Sequence, residues 1–263
     1  MRDHQTVFQD SRPITWLDSQ NWAPERLSSR GQLPAALRTS SWLLIGTGAL
    51  GSAIAELLVR GGVGELALFD SDLLAGGNLV RHTLDVSTVG QLKAHALRQH
   101  LNRASPHAKV TSFGSFPPAV PTDLDLVNGC DLIVECTGSD EVLRELAVFR
   151  WAKPKRFISL SLGLRAQRLF CFAADGLTFP VSAFRDQLQP FLTEERARAT
   201  AEDLPREGIG CWNPVFPARA DHIWLLAAAA IKELEEIVLQ AGPLPPTLRV
   251  IAQGEESAVL VRQ

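Results

Sequence analysis

A strand-like run that breaks into closely spaced glycines and resumes as a helix constrains this chain more than any other stretch. Trp42-Leu43-Leu44-Ile45 is apolar enough for a buried strand, and Gly46, Gly48 and Gly51 follow at once. Ala53-Ile54-Ala55-Glu56-Leu57-Leu58-Val59 then continues as an apolar helix that stops at Gly61-Gly62. In that order the first glycine permits the tight turn, the second lets backbone N–H groups approach phosphate, and the third lets helix pack on strand. The helix N-terminus adds its partial positive charge. The turn therefore offers Gly46, Gly48, Ala49, Leu50 and Gly51 as nucleotide-binding candidates.

The rest of the chain is compatible with an α/β enzyme domain. Its 263 residues suffice for one large domain with appendages, and the 46% apolar and 21% charged residues are an ordinary globular balance. No apolar run has the length of a membrane span, and the N-terminus is polar, so a cytoplasmic location without membrane contact is expected. A net charge of −3 and the lack of a long basic run argue against nucleic-acid binding. The four cysteines, at 130, 136, 171 and 211, form no Cys-x-x-Cys pair, which speaks against structural zinc and a disulfide framework.

Residues 1–40 read as a polar N-terminal arm and 41–263 as the domain proper. Strand and helix signals alternate from Trp42. Glu65 to Asp70 and Lys109 to Phe113 read as strands two and three, and Cys130 to Cys136 and Arg156 to Ser161 as strands four and five. Thr88-Val89-Gly90-Gln91 has the spacing of a capping box opening a helix to about Leu101, and Ser139 caps another to Trp151. The pattern predicts a Rossmann-like, doubly wound, mostly parallel sheet. Arg168 to Ala173 and Leu177 to Val181 suggest a β pair, and 182–219 a long polar crossover loop. A helix from Asp221 to Leu239 and two short strands, Leu248 to Ala252 and Ala258 to Val261, complete a C-terminal antiparallel extension.

Asp70, nineteen residues past Gly51, is where dinucleotide folds carry a ribose-binding acid. The residues that follow point away from a nicotinamide enzyme. Phe69-Asp70-Ser71-Asp72, Asn78-Leu79-Val80-Arg81-His82 and Gly90-Gln91-Leu92-Lys93 come in the order of a family pattern. With the glycine turn they resemble the ThiF/MoeB/HesA superfamily, the adenylating domain of ubiquitin-activating enzymes. The wording Gly-Ala-Leu-Gly-Ser and Asn-Leu-Val-Arg-His is most like the activating domains of bacterial ubiquitin-like systems, including the fused enzymes of anti-phage operons. A nicotinamide dehydrogenase would leave Arg81, Lys93 and the Cys211 segment without a role.

The resemblance implies ATP and Mg²⁺ as cofactors and a ubiquitin-like protein with a C-terminal glycine as substrate. It implies that Asp70 holds the ribose, that Asn78 and Arg81 contact phosphates, and that Lys93 binds the phosphate undergoing substitution. Asp72 is a candidate near the metal, and Ser139 joins the nucleotide-binding set. The family's aspartate after the strand-four Cys-Thr is Gly138 here; Asp140 is the candidate replacement, its other reading being an acid stabilised in a first helical turn. Cys211, in Gly-Ile-Gly-Cys-Trp-Asn-Pro, resembles the thioester cysteine that passes its cargo to a conjugating enzyme; its other reading is a thiol packed under Trp212. Arg26 or Arg30 could serve a partner subunit's ATP site, which implies a homodimer. Superfamily members that adenylate without a thioester (sulfur-carrier activators, tRNA-modifying dehydratases) and a degenerate partner-binding module stand as alternatives.

Overall fold

The computed structural model describes residues 20–27, 30–200, 217–253 and 260–262. It divides the chain into two compact units, 1–31 and 32–263. The first contains the short helix α1 (Pro24–Leu27), preceded by a bond from the Ala23 N–H to Asn21 Oδ1 at 2.9 Å.

The second unit holds one eight-stranded sheet in the order β3-β2-β1-β4-β5-β6-β7-β8. Chain order runs α2 (Ala35–Thr39), β1 (Ser41–Ile45), α3 (Ala49–Arg60), β2 (Glu65–Phe69), α4 (Lys93–Ala104) and β3 (Lys109–Phe113). It continues through α5 (Pro121–Gly129), β4 (Leu132–Glu135), α6 (Asp140–Val148), β5 (Lys155–Leu162) and β6 (Arg168–Gly176). Then come α7 (Val181–Arg198), α8 (Ala220–Leu239), β7 (Thr247–Gln253) and β8 (Leu260–Arg262). Strands β1 to β5 pair in parallel, and β5 to β8 pair antiparallel, so the expected C-terminal extension is built onto one edge. Among the described residues, no helix is long and apolar enough to cross a membrane.

Strand alternation divides the core into two layers. Trp42, Leu44, Leu66, Leu68, Val134 and Ile158 face one side, where α3, α4 and α8 cover them. Leu43, Ile45, Phe69, Ile133, Phe157 and Phe172 face the other, under α5, α6 and α7. That second layer is filled with rings: Phe69 stacks on Phe113 at 4.6 Å, and Phe149 meets Trp151 edge-on at 4.7 Å. Arg156 braces the antiparallel side, pairing with Asp175 at 2.8 Å and donating to the carbonyls of Ile237 and Gly242 past the end of α8. A helix's last carbonyls need such donors.

Four readings are corrected here. Helix α7 occupies Val181–Arg198, where the sequence suggested a loop from 182. Phe184, Leu188, Phe191 and Leu192 recur at helical spacing, and the first two are buried against the aromatic layer. Pro190 lies inside this helix and hid the pattern. The segment from Leu177 is a turn into α7, not a strand; β6 ends at Gly176. Helix α4 begins at Lys93 rather than Thr88, because the Leu74 N–H bonds the Gln91 carbonyl and the Gly90 N–H the Leu74 carbonyl, holding a turn at Gly90 (φ +87°) ahead of the helix. Helix α6 ends at Val148, short of Trp151, which turns into the ring cluster. Residues 201–216, with Cys211, lie outside the described residues.

The second unit starts at Gln32 and so takes in helix α2. Leu37 is fully buried, and the Trp42 indole donates to its carbonyl at 2.8 Å. Leu37→Ala should therefore lower stability by about 2–5 kcal/mol in urea denaturation, a core-sized loss. A loss below about 0.5 kcal/mol, typical of a surface arm, would contradict this packing.

Candidate functional site

The three glycines of the turn meet three different constraints. Gly46 has φ +91°, and a Cβ there would stand 2.7 Å from the Thr137 side chain. At Gly51 a Cβ would stand 1.9 Å from the Gly46 carbonyl oxygen, so α3 packs directly on its own turn. A Cβ at Gly48 would meet nothing within 4 Å, because Gly48 faces open space at the start of α3. Gly46 thus permits the turn and Gly51 the close packing of helix on strand, while Gly48 leaves the turn open.

That space is a cleft of about 1040 Å³ at the carboxyl ends of the parallel strands. It opens between β1 and β4, where the strand order reverses. Open α/β sheets bind ligands at such a switch point. Gly48, Ala49 and Leu50 line it from α3, and Asn78, Arg81 and Lys93 from the β2–α4 segment. Ser139 and Asp140 line it from the start of α6. Thus eight predicted residues converge, while Gly46, Gly51, Asp70 and Asp72 are not on the lining.

Asp70 and Asp72 act on the wall. Asp70 Oδ2 accepts from the Thr47 N–H at 2.7 Å and from its hydroxyl at 3.0 Å, and Oδ1 accepts from the Asp72 N–H at 2.9 Å. Asp72 pairs with the Lys93 ammonium at 2.8 Å, and its carbonyl accepts the Lys93 N–H at 2.9 Å. Lys93 is buried, and an ammonium taken out of water needs such a partner. Asn78 Oδ1 closes its own turn by accepting from the Ala75 N–H at 2.9 Å. Ser139 sits at the N-cap of α6 without a side-chain cap, its N–H donating to Thr137 Oγ1 at 3.0 Å. Asp140 is exposed and lies 3.1 Å from Arg185.

Two groups that the sequence reading did not single out are built into the wall. Glu135, at the end of β4, is 1% exposed. It accepts from the Thr137 N–H and hydroxyl, the Gly138 N–H at 3.0 Å and Ser159 Oγ at 2.7 Å. Burial pushes its carboxyl above the usual range, against the downward pull of those bonds. The signal was available, as a lone acid closing the apolar run Leu132-Ile133-Val134. His82, also buried, places Nε2 2.7 Å from the Thr47 carbonyl.

The described cysteines are poor nucleophiles. Burial pushes the thiols of Cys130 and Cys171 up to about 11 and about 12, and raises that of Cys136 as well. All three stay protonated at neutral pH, and the thiolate is the reactive form.

A glycine turn, Arg81 and Lys93 on the lining of one crevice at the switch point of a largely parallel sheet make a Rossmann-like domain. The chain belongs to the ThiF family, whose sequence model matches residues 20–178. Over 247 residues it is 44% identical to the ATP-dependent ubiquitin transferase-like protein Cap2 of Enterobacter hormaechei subsp. hoffmannii (strain UCI 50), covering 92% of this chain and 40% of Cap2. It is 36% identical over 115 residues to the molybdopterin-synthase adenylyltransferase of Escherichia coli (strain K12), covering 42% of this chain and 45% of that enzyme. The chain thus spans less than half the length of these relatives. A crystal structure of E. coli MccB with AMPCPP and MccA shares the fold, with a TM-score of 0.57 at 16% identity over 87% of this chain and 64% of that one.

Two substitutions separate packing from phosphate access. Gly51→Ala forces a clash with backbone and should lower the thermal midpoint markedly, whereas Gly48→Ala should leave it within a degree or two. Gly48→Ala should nonetheless weaken ATP binding about tenfold or more, since its methyl stands where phosphate would approach. Equal ATP affinity in Gly48→Ala and the parent would remove the turn from the binding site.

Proposed function

We propose that this domain uses ATP to adenylate the C-terminal glycine of a ubiquitin-like protein. The observation that carries the reading is the convergence of the Gly48 turn, Arg81 and Lys93 on one cleft. The name of the Cap2 relative, an ATP-dependent ubiquitin transferase-like protein, favours this substrate class. In the reaction a carboxylate oxygen attacks the α-phosphorus, the bond to the bridging β-phosphate oxygen breaks, and pyrophosphate leaves with an acyl adenylate behind. Little proton transfer is required, so the residues act by positioning and charge. Asp70 would hold the ribose, Asn78 and Arg81 the phosphates, and Lys93 would trade Asp72 for the phosphate being substituted.

Magnesium would reach the site with the triphosphate, neutralising charge on its oxygens. Among the described residues no three metal-binding side chains cluster. The wall's carboxylates are engaged, Asp70 by Thr47, Asp72 by Lys93 and Glu135 by Thr137 and Ser159. Asp140, exposed on the lining and paired at the surface with Arg185, is the carboxylate that would join the ion by giving up that pair, and phosphates and water suit the ion's remaining positions.

In a second step the Cys211 thiolate would attack the acyl carbon, expelling AMP and forming a thioester for a conjugating enzyme. Support comes from the resemblance of the Cys211 segment; the described thiols, buried at Cys130 and Cys171 and half-buried at Cys136, are all held protonated and offer no competing nucleophile. A homodimer taking Arg26 or Arg30 from a partner subunit into the site belongs to the same reading, and a monomeric mass at full activity would remove it. The molybdopterin-synthase relative favours a second reading, adenylation without a thioester.

ATP–pyrophosphate exchange, with small glycine-terminated proteins as substrates, tests the first step. Lys93→Ala should reduce exchange by about a hundredfold, the usual cost of removing a charge-stabilising group. Unchanged exchange would sink its role. Cys211→Ala should keep exchange and form no reducible thioester; parent protein that exchanges without any thioester would establish the second reading.

A further inference from the structure

We propose that His82 is a positioning residue for the nucleotide, fastening the Asn78–Arg81 turn to the glycine turn as a neutral imidazole. It deepens the reading above and rests on the cleft taking ATP. His82 is 9% exposed, and both ring nitrogens are committed. Nδ1 accepts the Leu84 N–H at 3.1 Å, so the ring proton is on Nε2, which donates to the Thr47 carbonyl at 2.7 Å. The chain before it is anchored too, since the N–H groups of Arg81 and His82 both donate to the Asn78 carbonyl, at 3.1 and 3.0 Å.

The consequence falls on Gly48. Thr47 is gripped at both ends, its N–H by Asp70 and its carbonyl by His82. A trans peptide is planar, with the N–H anti to the carbonyl. Fixing the Thr47 carbonyl therefore fixes the direction of the Gly48 N–H, and Gly48 lines the cleft. One imidazole sets the angle of a phosphate-facing amide and the distance from that amide to Arg81. A second proton would put an Nδ1–H against the Leu84 N–H, so the ring keeps both bonds only when neutral, although Nε2–H can donate to Thr47 in either form.

Neutrality is favoured where the ring sits. Burial is the main cause holding its titration below the ordinary 6.5; Lys93 and His100 push the same way, while Asp70 and the bond to Thr47 oppose. A depressed histidine leaves the unfolded chain holding more protons, so the contribution is present above about 6.5 and is lost as pH falls below it, levelling off under the folded value.

The test is equilibrium binding of ATP–Mg²⁺ to the parent, His82→Ala and His82→Gln at pH 7.5 and 5.5, with thermal midpoints recorded for each. A glutamine amide can donate to Thr47 and accept from Leu84 without titrating. His82→Ala should bind about tenfold more weakly at pH 7.5, one hydrogen bond's worth of alignment. His82→Gln should stay within about threefold, and its affinity relative to the parent should rise at pH 5.5. A lower midpoint with undiminished affinity in His82→Ala would make the residue merely structural and overturn the inference. So would a glutamine variant no better than alanine. Should His82→Ala not fold, the glutamine variant decides by its pH ratio, an unchanged ratio overturning the inference. Parent protein that binds no ATP would remove the adenylation reading and this inference together, whereas a binding parent with indifferent variants removes this one alone.

Discussion

The contact on which the rest of the molecule depends is the approach of Gly51 to the Gly46 carbonyl, closer than any Cβ could permit. It seats helix α3 directly on the end of β1, so the first N–H groups of the helix open at the sheet edge. The same close packing brings Cys136 and Thr137 of the β4 end against Gly46. The crevice between β1 and β4 is thus a by-product of missing side chains, and its depth is set by how closely two backbones can pass.

Around that crevice the polar groups form a continuous chain. Lys93 holds Asp72, whose N–H reaches Asp70; Asp70 holds Thr47, and Thr47 holds His82. Each link satisfies a group that would be costly to bury alone. The chain joins helix α4 to the glycine turn, so the Lys93 cation and the cleft-lining turn share one frame. Lys93 is held at the surface end of this chain by the exposed carboxylate of Asp72. Glu135 frames the opposite wall in the same manner, through Thr137, Gly138 and Ser159.

Much of this was legible before any coordinates. Glycines at 46, 48 and 51 between an apolar strand and an apolar helix carry their geometry in their spacing, because local sterics dictate it. Strands β1, β2 and β4 were legible because buried parallel strands read as apolar runs. Helix α7 was not, although Phe184, Leu188, Phe191 and Leu192 mark its buried stripe; Pro190 and a polar exterior outweighed the pattern locally, and burial against the ring layer outweighed both. The start of α4 was misplaced for the same reason, since the pairing of 72–74 with 90–92 is a contact between segments distant in sequence.

By itself, then, the sequence determined the class of fold and the glycine turn between β1 and α3, both consequences of short-range sterics and apolar periodicity. Only the tertiary structure decided which residues line the cleft and which brace it. Asp70 and Asp72 face Thr47 and Lys93, while Glu135 and His82, unremarkable in the chain, occupy the wall. The physical reason is that a carboxylate or imidazole has no fixed role until folding brings donors and acceptors from separate elements to it, and withdraws the water that would otherwise have served in their place.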